Sequence, residues 1–119
     1  KQRRSGILQS QTQDVLFQYV NRIHEIYGSE LKAVILYGSY ARGDYTESSD
    51  IDIMILVDST EDTIKQKGRM VSDITFDFNL DHDIMIMPIV KNVNHFQYWL
   101  PADPFYKNVK NDGVELYVA

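Results

Sequence analysis

The stretch Tyr37-Gly38-Ser39-Tyr40-Ala41-Arg42-Gly43-Asp44-Tyr45-Thr46-Glu47-Ser48-Ser49-Asp50-Ile51-Asp52 joins two short apolar runs, residues 33–37 (AVILY) and 51–57 (IDIMILV). The first run is apolar on both faces and stops at a Gly-Ser turn signal, which reads as a central strand. In the second, strand alternation puts Asp50, Asp52, Met54 and Leu56 on one face and Ile51, Ile53, Ile55 and Val57 on the other. The two carboxylates then share a face with Cα atoms roughly 6.5 to 7 Å apart, and their oxygens can converge on one divalent ion or bridge two. Hard oxygen ligands suit Mg²⁺, and a third carboxylate from a neighbouring strand commonly completes a two-metal cage. Acidic residues just ahead of a buried aliphatic run are disfavoured in strands, and metal binding supplies a reason for them that a solvated strand start does not. At the other end of the stretch, Gly38 lets the backbone approach a ligand, while the Ser39 hydroxyl and the N–H groups of a following helix terminus face it. Those are phosphate-holding groups. Beside a metal cage they describe a site for a metal-bound triphosphate and displacement at phosphorus.

Working outward, apolar residues recur every three to four positions over residues 12–27, ahead of Gly28, and predict an amphipathic helix. A second helical stripe, Ile64, Val71, Ile74 and Phe78, spans about residues 60–78 despite Gly68, with Ser59 or Thr60 as its cap. The run 84–90 reads as the last main strand, kept from being a regular central one by Pro88. Asp103 as N-cap, Pro104 at the first helical position and Gly113 past the end punctuate a short helix, and residues 114–118 add an edge strand. The fold class expected is α/β (α+β), a small mixed β-sheet flanked by helices, in a single domain over residues 1–119 with 1–10 as a loose N-terminal segment.

At 119 residues any active site must be built from one core, so its parts lie close together. No apolar run approaches the roughly 20 residues of a membrane-spanning helix. Cysteine is absent, which removes disulfides, thiolate catalysis and cysteine-ligated zinc, and suits a cytoplasmic protein. A net charge of −5 argues against binding long nucleic acid, which asks for a basic surface, but not against a small nucleotide carried with Mg²⁺.

The segment GSYARGDYTESSDID resembles the GSxARG then SDxD signature of the DNA polymerase β-like nucleotidyltransferase superfamily. It is most similar to the minimal, MNT-type members, often encoded beside a HEPN-domain partner, and the likeness extends through the strand after Asp52 to residues 105–117. The resemblance implies a nucleotidyltransferase fold, ATP as substrate and two Mg²⁺ ions. It implies that Gly38 and Ser39 bind the β- and γ-phosphates, that Asp50 and Asp52 hold both metals, and that Asp83, opening the third strand, is the third carboxylate. Asp81 has the same strand parity and competes for that place; Asp83 is preferred because the aliphatic run starts immediately after it. Arg42 matches the family's arginine and either contacts phosphate or forms a surface ion pair with Asp44 or Glu47. Ser49 joins the nucleotide-binding set as a turn residue or supporting hydrogen-bond donor, not as a nucleophile.

The function so implied is transfer of AMP from ATP to a hydroxyl, a tyrosine of a HEPN toxin, making the chain an antitoxin that acts by AMPylation. Two alternatives stand beside it. One is a small-molecule nucleotidyltransferase similar to the aminoglycoside-modifying enzymes, whose extra helical structure has no counterpart here. The other is a non-catalytic antitoxin acting by binding alone, against which the intact Gly-Ser and Asp-x-Asp motifs argue. His24, His82 and His95 lack metal-ligand spacing, and Trp99, Phe96, Tyr98, Met85 and Met87 read as core packing.

Overall fold

A computed structural model describes residues 10–119. The expected loose segment 1–10 therefore lies outside the described residues, except for Ser10, which begins a helix. In chain order the elements are α1 (Ser10–Tyr27), β1 (Leu31–Tyr37), α2 (Ser39–Arg42), β2 (Ile51–Val57), α3 (Glu61–His82), β3 (Ile86–Asn92), α4 (Val93–Trp99), α5 (Pro104–Asp112) and β4 (Val114–Val118). The sheet runs β3-β2-β1-β4, with β1 antiparallel to both β2 and β4 and β2 parallel to β3. This is the mixed sheet flanked by helices that the pattern predicts.

The two central strands are apolar on both sides because both sides are covered. Ile51, Ile53, Ile55 and Val57 of β2 join Val34 and Leu36 of β1 against α1 and α3, where Leu16, Tyr19, Ile23, Val71 and Phe78 close the larger core. Tyr19 ties the two helices together: its hydroxyl hydrogen-bonds the Thr75 hydroxyl at 2.7 Å, and its ring meets Phe78 edge-on at 5.4 Å. On the other face Ala33, Ile35, Met54 and Leu56 pack under Phe96, Tyr106 and Val109 of α4 and α5. A bulge between Leu31 and Ala33 switches the face to which β1 residues point, which is why Leu31 sits in the first core and Ala33 in the second.

Thr60 caps α3 by accepting from the Thr63 N–H at 3.2 Å, and Asp103 caps α5 by accepting from the N–H groups of Phe105 and Tyr106 at 2.9 and 3.2 Å. Helix α3 runs four residues beyond the predicted stripe, and α4 is a further helix whose sequence signal is one buried residue, Phe96, and an Asn92 cap. No described helix is long and apolar enough to cross a membrane.

Candidate active site

Strand β1 ends with Tyr37 directly across from Asp52 of β2. The chain then turns at Gly38, with φ 75° and ψ −154°, a conformation L side chains rarely tolerate. The same turn carries the Gly38 backbone so close to β2 that a Cβ there would overlap Oδ2 of Asp52. Glycine is therefore required twice, by the backbone angle and by the carboxylate against it.

One turn of helix follows. The N–H groups of Ala41 and Arg42 both donate to the Gly38 carbonyl at 3.1 Å, and Gly43, at φ 86°, ends the turn by donating to the Ser39 carbonyl at 2.9 Å. Ala41 is buried in the larger core and anchors this turn beneath Ser39. The return loop is held by Tyr40 stacked on Tyr45, ring centres 4.1 Å apart and 8° from parallel. It is held again by Ser49, whose Oγ accepts from the Thr46 N–H at 2.9 Å while its own N–H donates to the Thr46 carbonyl at 3.1 Å. Ser49 is thus a turn former that aims Asp50 at the start of β2.

Asp50 and Asp52 come together as the strand parity requires. The Asp52 carboxyl is pushed above its ordinary range by burial first and by the Asp50 charge second, with Arg42 acting in the opposite direction. Two acids held side by side, one partly desolvated, form a set of hard oxygen donors whose mutual repulsion a divalent cation relieves, so the pair fits such an ion. Arg42 forms the surface ion pair of the two alternatives: its Nε lies 3.2 Å from Oδ2 of Asp44, with both side chains about half exposed.

Asp83 does not open the third strand, and the expectation that it does is corrected. Helix α3 absorbs Asp81 and His82, and Asp83 is its C-cap, left-handed at φ 52° and ψ 50°, donating its N–H to the Asn79 carbonyl. The strand begins three residues later, at Ile86. Among the described residues no three His, Cys, Asp or Glu side chains gather closely enough to hold a metal. The structure therefore brings Asp50 and Asp52 together with Gly38 and leaves Asp83 outside.

Other residues at the site escaped the sequence reading. The Tyr37 hydroxyl is pushed up to about 12, by burial first and by the Asp52 carboxylate second, and its ring meets Phe105 of α5 edge-on at 5.5 Å. Its place beside Asp52 follows from cross-strand register, which sequence alone does not give. Met85 and Met87 are not core fillers: they are 50% and 47% exposed, and Met87 pairs with Asp52 across the β2–β3 ladder. Tyr98 and Trp99 are exposed as well, whereas Phe96 is buried as expected.

A mixed four-stranded sheet with a Gly-Ser turn set against a paired acid defines a nucleotidyltransferase, and the comparisons agree. The family model described as polymerase beta, nucleotidyltransferase matches residues 18–117, and the chain belongs to that family. Two candidate protein adenylyltransferases of Methanocaldococcus jannaschii are similar to it. One is 36% identical over 103 residues, covering 87% of this chain and 96% of the relative; the other is 37% identical over 100 residues, covering 84% and 92%. Among solved structures, a candidate nucleotidyltransferase from Sulfolobus solfataricus matches with TM-score 0.56 at 23% identity, covering 91% of this chain and 85% of that one. A toxin-antitoxin structure with AMP-PNP matches with TM-score 0.55 at 19% identity, covering 87% and 73%. At these identities the structural matches speak for the fold alone.

Proposed function

We propose that this chain transfers AMP from ATP to a hydroxyl of a partner protein, a HEPN toxin, and so acts as an antitoxin. The observation that carries the reading is the contact of the Gly38 backbone with the Asp52 carboxylate: it joins the turn suited to phosphate and the acids suited to a cation in one site. The M. jannaschii relatives named as candidate protein adenylyltransferases support a protein acceptor, and a toxin partner and ATP fit the fold shared with the toxin-antitoxin structure that carries AMP-PNP.

In this reading the acceptor hydroxyl oxygen attacks the α-phosphorus of ATP and gives up its proton to water, the bond to the bridging oxygen breaks, and pyrophosphate leaves. Asp50 and Asp52 would hold Mg²⁺, which supplies charge neutralisation at the phosphates. Ser39 and the backbone of the Gly38 turn hold the triphosphate, and Ser49 and the Tyr40–Tyr45 stack fix the loop that sets Asp50. Arg42 adds positive charge that acts on Asp52 and would favour phosphate held beside it. ATP as donor fits a cytoplasmic protein.

The test is intact-mass spectrometry of a HEPN-domain toxin after incubation with the chain, ATP and Mg²⁺. The expected result is a gain of AMP on the toxin with the native chain and none with the Asp50→Asn, Asp52→Asn double variant. No gain with the native chain, although it binds ATP in a Mg²⁺-dependent way, contradicts a protein acceptor and points to a small molecule or to binding alone.

A further inference from the structure

We infer that the cation site of this chain has two carboxylates only, with the thioethers of Met85 and Met87 standing where a third acidic ligand would stand. The inference rests on the nucleotidyltransferase reading and specifies its metal site. On this face of the sheet, the β3 residue beside Asp52 is Met87, its direct partner in the parallel ladder. The ladder reaches back one step further, because the Ile51 N–H donates to the Met85 carbonyl at 2.8 Å, so Met85 flanks Asp50. Both methionines are about half exposed and share the strand parity of the acids.

Asp83 lies two residues before Met85, and it is held away by the end of α3 rather than left free to extend the strand. Asn79 does the holding with both its backbone and its side chain. Its carbonyl accepts from the N–H groups of Asp83 and Ile84, the latter at 3.2 Å. Its side-chain Oδ1 accepts from the Ile86 N–H at 2.7 Å, and its Nδ2 donates to the Ile86 carbonyl at 3.2 Å. Extending residues 83–85 as strand would break the helix cap and give up the left-handed turn that Asp, like Asn, adopts more readily than most residues.

Thioether sulfur is a soft ligand that serves Mg²⁺ poorly. The remaining coordination positions therefore fall to nucleotide phosphate and water, and cation and nucleotide bind as a unit: the free chain holds the ion weakly and the nucleotide-bound chain holds it well.

The test is Mn²⁺ titration followed by electron paramagnetic resonance, with and without a non-hydrolysable ATP analogue, on the native chain and on Asp83→Asn, Met87→Asp and Met85→Asp. Asparagine keeps the left-handed cap, and both methionines are exposed enough to accept a carboxylate. Asp83→Asn is expected to change Mn²⁺ affinity by less than about threefold, and Met87→Asp or Met85→Asp to tighten binding without nucleotide by about tenfold or more, as an added charged oxygen ligand should. A loss of about threefold or more in Asp83→Asn, or no tightening in either methionine variant once folding is verified by circular dichroism, would overturn the inference. Absence of Mn²⁺ binding by the folded native chain even with the analogue present would instead sink the nucleotidyltransferase reading of the site.

Discussion

The chain carries two acid-x-acid triplets, Asp50-Ile51-Asp52 and Asp81-His82-Asp83, each followed closely by aliphatic residues. The first stands at the start of a strand with its carboxylates side by side; the second is divided between the last turn of a helix and its cap. The difference lies upstream. Ahead of Asp50, Gly43 ends the helical turn and Thr46 and Ser49 close a loop through their own hydrogen bonds, so nothing helical can reach the acids. Ahead of Asp81 the helix runs unbroken, pinned by Phe78 against Tyr19, and propagates through His82 because each further residue adds a bond at little cost. Identical local spacing thus becomes a converging pair of acids or the end of a helix according to the element that delivers it.

The largest expected effect comes from spoiling the first triplet's neighbour. Gly38→Ala forces a Cβ into the Asp52 carboxylate at a backbone angle only glycine accepts easily, and it should abolish AMP transfer while lowering stability by about 1 to 3 kcal/mol in urea unfolding. Retained transfer would mean that the close approach of turn and acid is incidental. At the second triplet, Asn79→Ala removes both side-chain bonds to Ile86 and should cost about 1 to 3 kcal/mol by the same measurement, with nucleotide affinity little changed.

A subtler contrast lies in pH. Because the Asp52 carboxyl is a weaker acid in the folded chain than in the unfolded one, the unfolded chain releases this proton first, and stability contributed here is lost as pH rises through the carboxylate range. Without divalent cation, Asp52→Asn should therefore melt above the native chain at neutral pH, with the gap closing below about pH 4. An equal gap at all pH values would show that the acid pair is not strained. The smallest effect is at Asp83, where glycine suits the left-handed cap: Asp83→Gly should stabilise by about 0.5 kcal/mol or leave stability unchanged, and a clear loss would show that the carboxylate itself is needed.

The two central strands, the shared face of Asp50 and Asp52 and the turn at Gly38 were legible because each is written in neighbouring residues: apolar runs, period-two alternation and turn formers. The place of Asp83 was not, because α3 runs on through His82 and takes Asp83 as its cap, with Phe78 packed on Tyr19, 59 positions away in sequence. Met85 and Met87 read as core in sequence because an apolar run looks the same on an edge strand as on a central one, and only the order β3-β2-β1-β4 tells the two apart. Helix α4 has seven residues and one buried position, too little to show a period. Sequence does not decide between phosphate and an ion pair for Arg42, and in the fold it meets Asp44 at 3.2 Å.

If the first triplet carries the chemistry and the second does not, the two must respond differently to loss of their charges. The most direct measurement is AMP transfer to the toxin, by intact mass, with two matched double variants: Asp50→Asn, Asp52→Asn and Asp81→Asn, Asp83→Asn. The expected result is no transfer from the first and transfer within about twofold of the native chain from the second, as for surface substitutions away from the site. Loss of transfer in the second variant, with its fold intact, would contradict it.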